Sequence, residues 1–274
     1  MKKFFTPLIL LVLLLCSCNQ SNPLMLHQEK KVAAQVLAQI PADFYPRKLT
    51  IVSAGDSLTQ GVGDSTGQGG YLPYLKTMLE KEKGIQEVDF YNFGVKGNRT
   101  TQLLKRLKTP EMKDVLQRAD LIILTIGGND IMKVVKDNIS NLQISDFIKE
   151  KDSYRGHLTQ IIDTIVQENP NASIVLVGLY NPFSMWFSDI KEMDQIVAEW
   201  NQVGQHVIAN YPHTYFVEIE DVFLNAAENL LYTDHFHPND KGYELIAERL
   251  NETLSERVIP DLGNMPYTVS TEEN

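Results

Sequence analysis

The sequence contains little cysteine, more acid than base, and few long apolar runs. Its two cysteines, Cys16 and Cys18, lie near the N-terminus. The rest of the chain therefore has no cysteine pair, and its stability must come from an apolar core. Lysine and arginine total 25 against 35 acidic residues, a formal net charge of -10. Such a charge argues against nucleic acid as a partner, because nucleic-acid binding requires basic surfaces.

One apolar run does occur, at the N-terminus. Met1, Lys2 and Lys3 form a positive start, and residues 4–15 are almost wholly apolar. About a dozen residues are too few to span a bilayer at roughly 20 per helix, but they are typical of a secretory signal. The following stretch, Leu-Cys-Ser-Cys, resembles the bacterial lipobox, which implies cleavage before Cys18 and a diacylglyceryl anchor on that residue. An ordinary cleaved signal with two incidental cysteines is the alternative.

This resemblance sets the expected organisation of the N-terminal region. Residues 1–17 are predicted to be a signal peptide, and residues 18–47 a tether with a short helix. The anchor would hold the exported protein on the outer face of the bacterial membrane. Loss of two lysines leaves 23 basic residues against 35 acidic ones, so the net charge changes from -10 to -12. Anionic head groups would repel such a surface, so the lipid itself must provide the attachment.

Beyond the tether, apolar runs typical of buried strands alternate with the apolar spacing of helices. Strands are predicted at residues 49–54, 88–93, 121–126, 173–177 and 215–218. Helices are predicted at 70–83, 100–107, 112–119, 145–167, 189–209 and 240–258. This alternation predicts an α/β fold of three layers, α/β/α, around a flavodoxin-like five-stranded parallel sheet in the order 2-1-3-4-5. The domain is expected to span residues 48–260, with a loose polar tail at 261–274.

Polar segments stand at the ends of several predicted strands. Gly-Asp-Ser-Leu at 55–58 follows the first strand, and residues 92–98 end the second. Gly-Gly-Asn-Asp at 127–130 follows the third strand, and Asp-His-Phe-His-Pro at 234–238 comes some way after the fifth. In a parallel sheet these segments meet at one edge, beyond the carboxyl ends of the strands, where ligands bind.

The residue types in these segments match the requirements of acyl transfer. Ser57 is the candidate nucleophile, a histidine at 235–237 the base, and Asp234 the carboxylate that orients the base. Asp234 should reach His237 more easily than His235, because residues three apart in a turn lie on the same side. The N–H groups of Ser57 and Gly97 and the side-chain amide of Asn129 are the candidate oxyanion hole.

The four blocks G-D-S-L, Gly97, G-x-N-D and D-x-x-H resemble the SGNH, or GDSL, hydrolase superfamily, and they occur in its order. The resemblance covers about residues 49–250. It implies an α/β/α fold and esterase, lipase, thioesterase or carbohydrate-deacetylase activity, without metal or other cofactor. Within the superfamily the chain looks closest to lysophospholipase/thioesterase-like bacterial lipoproteins. Ser57 lacks the G-x-S-x-G elbow of the α/β-hydrolases, since Thr59 stands at the second position after it.

Other readings of the same residues remain open. Ser57 could be a turn residue, Asp56 a second catalytic acid, and His235 with His237 a metal site. Asp56 is expected to hydrogen-bond within its turn, and Asp130 to brace its loop.

The substrate is a further open question. Apolar residues at 131–147 and 180–187 are expected to form a groove for a fatty acyl chain, with ordinary core packing as the alternative. The lead hypothesis is therefore a serine acylhydrolase for small-molecule or lipid esters. Its rivals are an O-deacetylase of cell-wall or extracellular polysaccharide and a non-catalytic binding lipoprotein.

Overall fold

A computed structural model describes residues 46–182, 191–224, 226 and 228–263. Its sheet has five strands, all parallel, in the order β2-β1-β3-β4-β5, which confirms the predicted architecture and strand order. The strands are β1 (Arg47–Gly55), β2 (Ile85–Gly94), β3 (Leu121–Thr125), β4 (Ser173–Val177) and β5 (Thr214–Val217). Every residue of β3 and β4 is buried, as expected of central strands covered on both faces.

The helices form a layer on each side of this sheet. They are α1 (Ser57–Gln60), α2 (Leu72–Leu79), α3 (Thr100–Leu107), α4 (Pro110–Gln117), α5 (Gly128–Asp137), α6 (Ile144–Glu168), α7 (Lys191–Ile208), α8 (Glu220–Leu224), α9 (Asp240–Thr253) and α10 (Ile259–Gly263). A π-helical turn, Leu254–Val258, joins α9 to α10. One apolar core contains buried residues of α3 to α7, and the other contains residues of α2, α9 and the π-helical turn.

Alternation along the strands divides the apolar side chains between these two cores. Val52 and Ile122 belong to the first core, whereas their neighbours Ile51 and Ile123 belong to the second. Successive side chains of a strand point to opposite faces, so each strand serves both layers. The first strand lies between β2 and β3, at the position where the strand order reverses. Its carboxyl end is therefore at the switch point where such sheets bind ligands.

Four helices were absent from the sequence prediction, namely α1, α5, α8 and α10. Three of them have only four or five residues, too few for a helical period to show. The predicted closing helix at 240–258 ends as an α-helix at Thr253 and continues as the π-helical turn.

The boundary predicted at residue 260 falls inside α10. Leu262 in that helix is buried, and its carbonyl accepts a hydrogen bond from the side chain of Arg47 at 3.1 Å. The packed chain thus continues past Pro260, and β1 begins at Arg47 within the stretch predicted as tether. The signal peptide, Cys18 and residues 264–274 lie outside the described residues. None of the helices that the structure describes is long and apolar enough to cross a membrane.

Candidate active site

Three side chains form a continuous line of hydrogen bonds at the carboxyl edge of the sheet. The Oγ of Ser57 lies 2.9 Å from Nε2 of His237, and Nδ1 of His237 lies 2.6 Å from Oδ2 of Asp234. Ser57 and His237 are buried, at 2% and 7% exposure. The structure therefore brings together a hydroxyl, an imidazole and a carboxylate. Ser57 and His237 are 180 residues apart in the sequence.

The carboxylate of Asp234 is held by its own turn. Its Oδ1 accepts hydrogen bonds from the backbone N–H groups of Phe236 at 3.1 Å and His237 at 3.0 Å. Burial alone would raise the pKa of Asp234, but the hydrogen bonds from the His237 ring and from these two N–H groups lower it overall. Asp234 is thus kept ionised, and its second oxygen is directed at the imidazole.

The local fold of this turn explains why His237 and not its neighbour meets Ser57. His235 adopts a left-handed backbone, φ 56°, which reverses the chain between Asp234 and His237. The carbonyl of His237 accepts a hydrogen bond from Tyr232 N–H at 2.7 Å. The hydroxyl of Tyr180 donates to the carbonyl of Phe236 at 2.6 Å, and this bond ties the turn to the segment that follows β4.

Ser57 is the first residue of α1, directly after β1. Asp56 caps this helix, since its Oδ1 accepts a hydrogen bond from Leu58 N–H at 3.0 Å. Gly61 closes it in a left-handed conformation with φ 84°, which glycine adopts without strain. The N–H of a first helical residue has no partner inside its helix. The N–H of Ser57 therefore points out of the N-terminal end of α1.

Asp56 is buried beneath this helix and belongs to a chain of hydroxyl groups. Its Oδ1 accepts from Thr125 Oγ1 at 3.1 Å, and Thr125 Oγ1 lies 2.8 Å from Thr59 Oγ1. Tyr71 extends the chain, with its hydroxyl 3.1 Å from Thr59 Oγ1 and 2.8 Å from Ser53 Oγ. Burial raises the pKa of Asp56 to about 7, against the opposing effect of its hydrogen bonds. Asp56 thus makes the hydrogen bond expected within its turn, and it makes no contact in this network with His237.

The other two expected oxyanion donors lie on neighbouring segments. Gly97 has φ 79°, and a methyl group built on it would meet no heavy atom within 4 Å. Its left-handed backbone conformation, and not a lack of space for a side chain, therefore favours glycine there. Asn129, in the first turn of α5, donates from Nδ2 to the carbonyl of Asn98 at 3.1 Å. This bond joins the Gly97–Asn98 segment to α5 and leaves the amide with a second N–H.

Asp130, in the first turn of α5, is hydrogen-bonded to the start of α3. Its carboxylate accepts hydrogen bonds from Thr100 N–H at 3.0 Å and Thr100 Oγ1 at 2.6 Å, at the start of α3. Burial raises the pKa of Asp130, and the bonds from Thr100 oppose this. The residue links the start of α5 to the start of α3, whereas the sequence analysis expected it to brace its own loop.

A mostly apolar pocket opens beside Ser57 and Asn129. Its apolar walls come from five parts of the chain, namely Leu58, Ile126, Ile131, Met132, Val177, Leu179, Tyr180, Pro182, Met193, Val197 and Phe236. The expected groove is thus only partly correct. Ile131, Met132, Tyr180 and Pro182 line the pocket, and residues 183–187 lie outside the described part of the chain.

The remainder of the 131–147 stretch does not line this pocket. Val134 and Phe147 pack in the apolar core, and Ile139 is 78% exposed. Within α5 only residues of its N-terminal half line the pocket, whereas Ile139 lies beyond the end of α5 and Phe147 lies on α6. Leu179 was missed by the sequence analysis, although its position just after β4 places it at the same sheet edge. Met193 and Val197 on α7 had no such signal.

The structure also bears on the alternative metal site. Within residues 46–182, 191–224, 226 and 228–263, no group of three or more His, Cys, Asp or Glu side chains is arranged to hold a metal ion. His237 instead uses both ring nitrogens in contacts with Ser57 and Asp234.

Comparison with known proteins identifies a matching family and two similar proteins from Bacillus. Residues 53–245 match the GDSL-like Lipase/Acylhydrolase family. The uncharacterized protein YpmR of Bacillus subtilis is 34% identical over 214 residues, which cover 77% of this chain and 84% of that protein. The spore germination lipase LipC of Bacillus licheniformis is 27% identical over 208 residues, covering 74% of this chain and 94% of that one.

Solved structures share the fold. The lipase Lip_vut3 from a goat rumen metagenome has a TM-score of 0.69 at 24% identity, covering 77% of this chain and 99% of that one. A variant of Axe2, an acetyl xylan esterase from Geobacillus stearothermophilus, has a TM-score of 0.57 at 17% identity, covering 76% and 95%. The family match extends over most of the chain and includes all four blocks found in the sequence. The chain therefore belongs to the GDSL-like lipase/acylhydrolase family and is a hydrolase that acts on ester bonds.

Proposed function

We propose that this chain is a serine acylhydrolase in which Ser57 is the nucleophile, His237 the general base and Asp234 the residue that orients the base. The observation that carries the proposal is the hydrogen-bonded line from Ser57 through His237 to Asp234, at 2.9 and 2.6 Å. A serine hydroxyl needs an adjacent base, and that base needs a carboxylate to fix its tautomer. Both partners lie in this line, and Ser57 at its end also lines the apolar pocket.

The reaction follows from these positions. His237 Nε2 accepts the proton as Ser57 Oγ attacks the ester carbonyl, and the carbonyl oxygen becomes negative. The N–H groups of Ser57 and Gly97 and the amide of Asn129 donate to that oxygen. The protonated His237 then gives its proton to the leaving alcohol or thiol, which leaves an acyl group on Ser57. Water, activated by His237 in the same way, releases the acid and restores the hydroxyl.

The pocket supports an acyl substrate. Its walls next to Ser57 are largely aliphatic, with Ile131, Met132 and Leu179 among them, and such walls favour hydrocarbon over a sugar ring. The relative LipC is described as a lipase. We therefore place carboxylic or thio esters of lipid-like acyl groups first among the substrates.

Removal of acetyl groups from polysaccharide is the second candidate. Axe2, an acetyl xylan esterase, has the same fold as this chain. Its reaction needs the same nucleophile and oxyanion donors, and differs in requiring space for a carbohydrate on the leaving-group side. Only substrate preference separates the two candidates.

Attachment to the outer face of the membrane through a lipid on Cys18 is a separate proposal, carried by the lipobox resemblance. A Cys18→Ala variant expressed in a bacterial host should be released to the medium or remain as unprocessed precursor. Membrane retention equal to the unaltered protein, with no lipid on it, would overturn the proposal.

The enzymatic proposal is tested in two steps. A fluorophosphonate probe should label the unaltered protein and not the Ser57→Ala variant, and hydrolysis of a short ester should fall by about 10³-fold or more in that variant. Equal labelling of both proteins would refute Ser57 as nucleophile. An acyl series from acetyl to long-chain esters, run beside acetylated xylan, then decides the substrate class. Activity on acetyl groups alone would replace the lipid proposal by deacetylation.

A further inference from the structure

Arg106 contacts Asn98, the residue that follows the candidate oxyanion donor Gly97. It lies in the last turn of α3, on the helix that begins just after the Gly97–Asn98 segment. Its Nη2 donates to the carbonyl of Phe93 at 2.7 Å, and its Nη1 donates to the side-chain Oδ1 of Asn98 at 3.1 Å. Nη1 also approaches the carbonyl of Gly55 at 3.5 Å, at the end of β1. One guanidinium thus contacts the carboxyl ends of two strands and the loop between β2 and α3.

The partners of this cation are unlike those of a surface arginine. Its three acceptors in the described part of the chain are all amide oxygens. Burial lowers the pKa of Arg106, and the charge of Glu111 opposes this, but an arginine remains charged in a protein. Arg118 provides the contrast, since it is exposed and pairs with Asp114 one turn away. A half-buried guanidinium bound to carbonyls acts as a rigid fork, for which lysine is no substitute.

Asn98 connects this fork to the candidate oxyanion donors. It is buried, and it follows Gly97 directly. Its side-chain oxygen accepts from Arg106, while its backbone carbonyl accepts from Nδ2 of Asn129 at 3.1 Å. Asn98 N–H donates to the carbonyl of Val95 at 3.0 Å, which closes the turn that contains Gly97. A displacement of Asn98 therefore moves the Gly97 N–H and releases the Asn129 amide together.

We propose that Arg106 is a positioning residue for ester hydrolysis: through Asn98 it holds the Gly97 N–H and the Asn129 amide in the geometry that receives the oxyanion. This inference rests on the proposed function. Oxyanion contacts are strongest in the transition state, so a misplaced donor lowers kcat more than it alters KM. A displacement of about 1 Å in a catalytic group costs on the order of 10²-fold in rate. Loss of the fork should therefore reduce kcat by about 10- to 100-fold.

The test compares Arg106→Met, Arg106→Lys and Asn98→Ala with Arg118→Met as the matched surface control. Hydrolysis of a short ester is measured per active site, and the sites are counted by fluorophosphonate labelling carried to completion. This count removes any misfolded fraction, and Arg106→Lys supplies a milder variant that keeps the charge. An alkylboronic acid, which forms a tetrahedral adduct on the serine, is measured as inhibitor of each variant.

Four results are expected together. Kcat should fall about 10- to 100-fold in Arg106→Met and in Asn98→Ala, with KM within about threefold, and the Arg106→Met/Asn98→Ala double variant should lose no more than the worse single variant. Inhibition by the boronic acid should weaken in parallel with kcat/KM. Arg106→Lys should also be impaired, because the ammonium cannot bridge Asn98 and the Phe93 carbonyl. Arg118→Met should match the unaltered enzyme.

Other results overturn the inference. A kcat of Arg106→Met within about threefold of the unaltered enzyme, a loss that resides in KM, or additive losses in the double variant would each do so. If Ser57-dependent hydrolysis is present and Arg106→Met retains it, only this inference fails. If the unaltered protein hydrolyses no ester, the proposed function fails and takes the role of Arg106 with it.

Discussion

Asp56 should make the stability of this protein depend on pH in a direction opposite to that of most carboxylates. It is buried, and burial raises its pKa from the ordinary 3.8 to about 7. In the unfolded chain it ionises near pH 4. Between about pH 4 and 7 the folded state therefore retains a proton that the unfolded state has lost. The contribution of Asp56 is fully present below pH 4 and is lost as the pH rises to 7.

The size of this effect follows from the shift. A difference of about 3 pKa units at about 1.36 kcal/mol each gives up to about 4 kcal/mol. Asparagine has the same shape as the protonated aspartic acid and cannot ionise. Its Oδ1 can still accept from Leu58 N–H and Thr125 Oγ1, as Asp56 does now. The Asp56→Asn variant should therefore gain stability relative to the unaltered protein by up to about 4 kcal/mol between pH 4 and pH 8.

The measurement is urea denaturation followed by circular dichroism at five pH values from 4 to 8, for the unaltered protein, Asp56→Asn and Asp89→Asn. Asp89 is an exposed residue of β2 and serves as the control. Other carboxyl groups whose pKa is raised by burial and that do not interact with Asp56, such as Asp120, are common to all three proteins and cancel in the differences. A difference between Asp56→Asn and the unaltered protein that stays constant to about 0.5 kcal/mol over this range would refute the reasoning.

Three further perturbations test other parts of the site. Asp234→Asn should lower kcat by about 10²- to 10⁴-fold, because His237 loses the carboxylate that fixes its tautomer; a loss below about tenfold in short-ester hydrolysis would contradict that role. Gly94→Ala places a methyl group 2.0 Å from the backbone nitrogen of Gln60, so it should cost about 2 kcal/mol or more in urea denaturation. Unchanged stability would show that α1 can move away from β2. Met132→Trp should fill the pocket and lower kcat/KM for long-chain esters about tenfold, while acetyl esters and fluorophosphonate labelling are affected less. An equal loss for all chain lengths would argue against an acyl chain beside Met132.

Much of the fold could be predicted because its signals are local. Runs such as residues 121–125 are apolar throughout, and a strand buried on both faces requires this. The strand order also followed, because right-handed crossovers in an alternating β/α chain leave few topologies. Short elements such as Ser57–Gln60 were missed because four residues cannot display a helical period, and the ten-residue helix Gly128–Asp137 was missed as well.

The residues around the site also divide into those that could be predicted from the sequence and those that could not. Polar segments at strand ends could be assigned to one edge of the sheet, and Asp234 could be paired with His237 from their spacing. The pocket walls could be predicted only in part, because Met193 and Val197 lie in the first two turns of a long helix whose rotation about its axis depends on packing. The raised pKa of Asp56 was also out of reach, since it arises from burial by residues distant in the chain.

The amino-acid sequence by itself determined the parallel sheet, the order of its strands and the segments that meet at its carboxyl edge, because each depends on local apolar pattern and on chain connectivity. Only the tertiary structure decided which side chains touch there. The contact of Ser57 with His237, the link from Arg106 to Asn98 and the burial of Asp56 all join residues that are distant in sequence or lie on separate elements. Hydrogen bonds act over about 3 Å, and only the packing of whole helices and strands brings such groups within that distance.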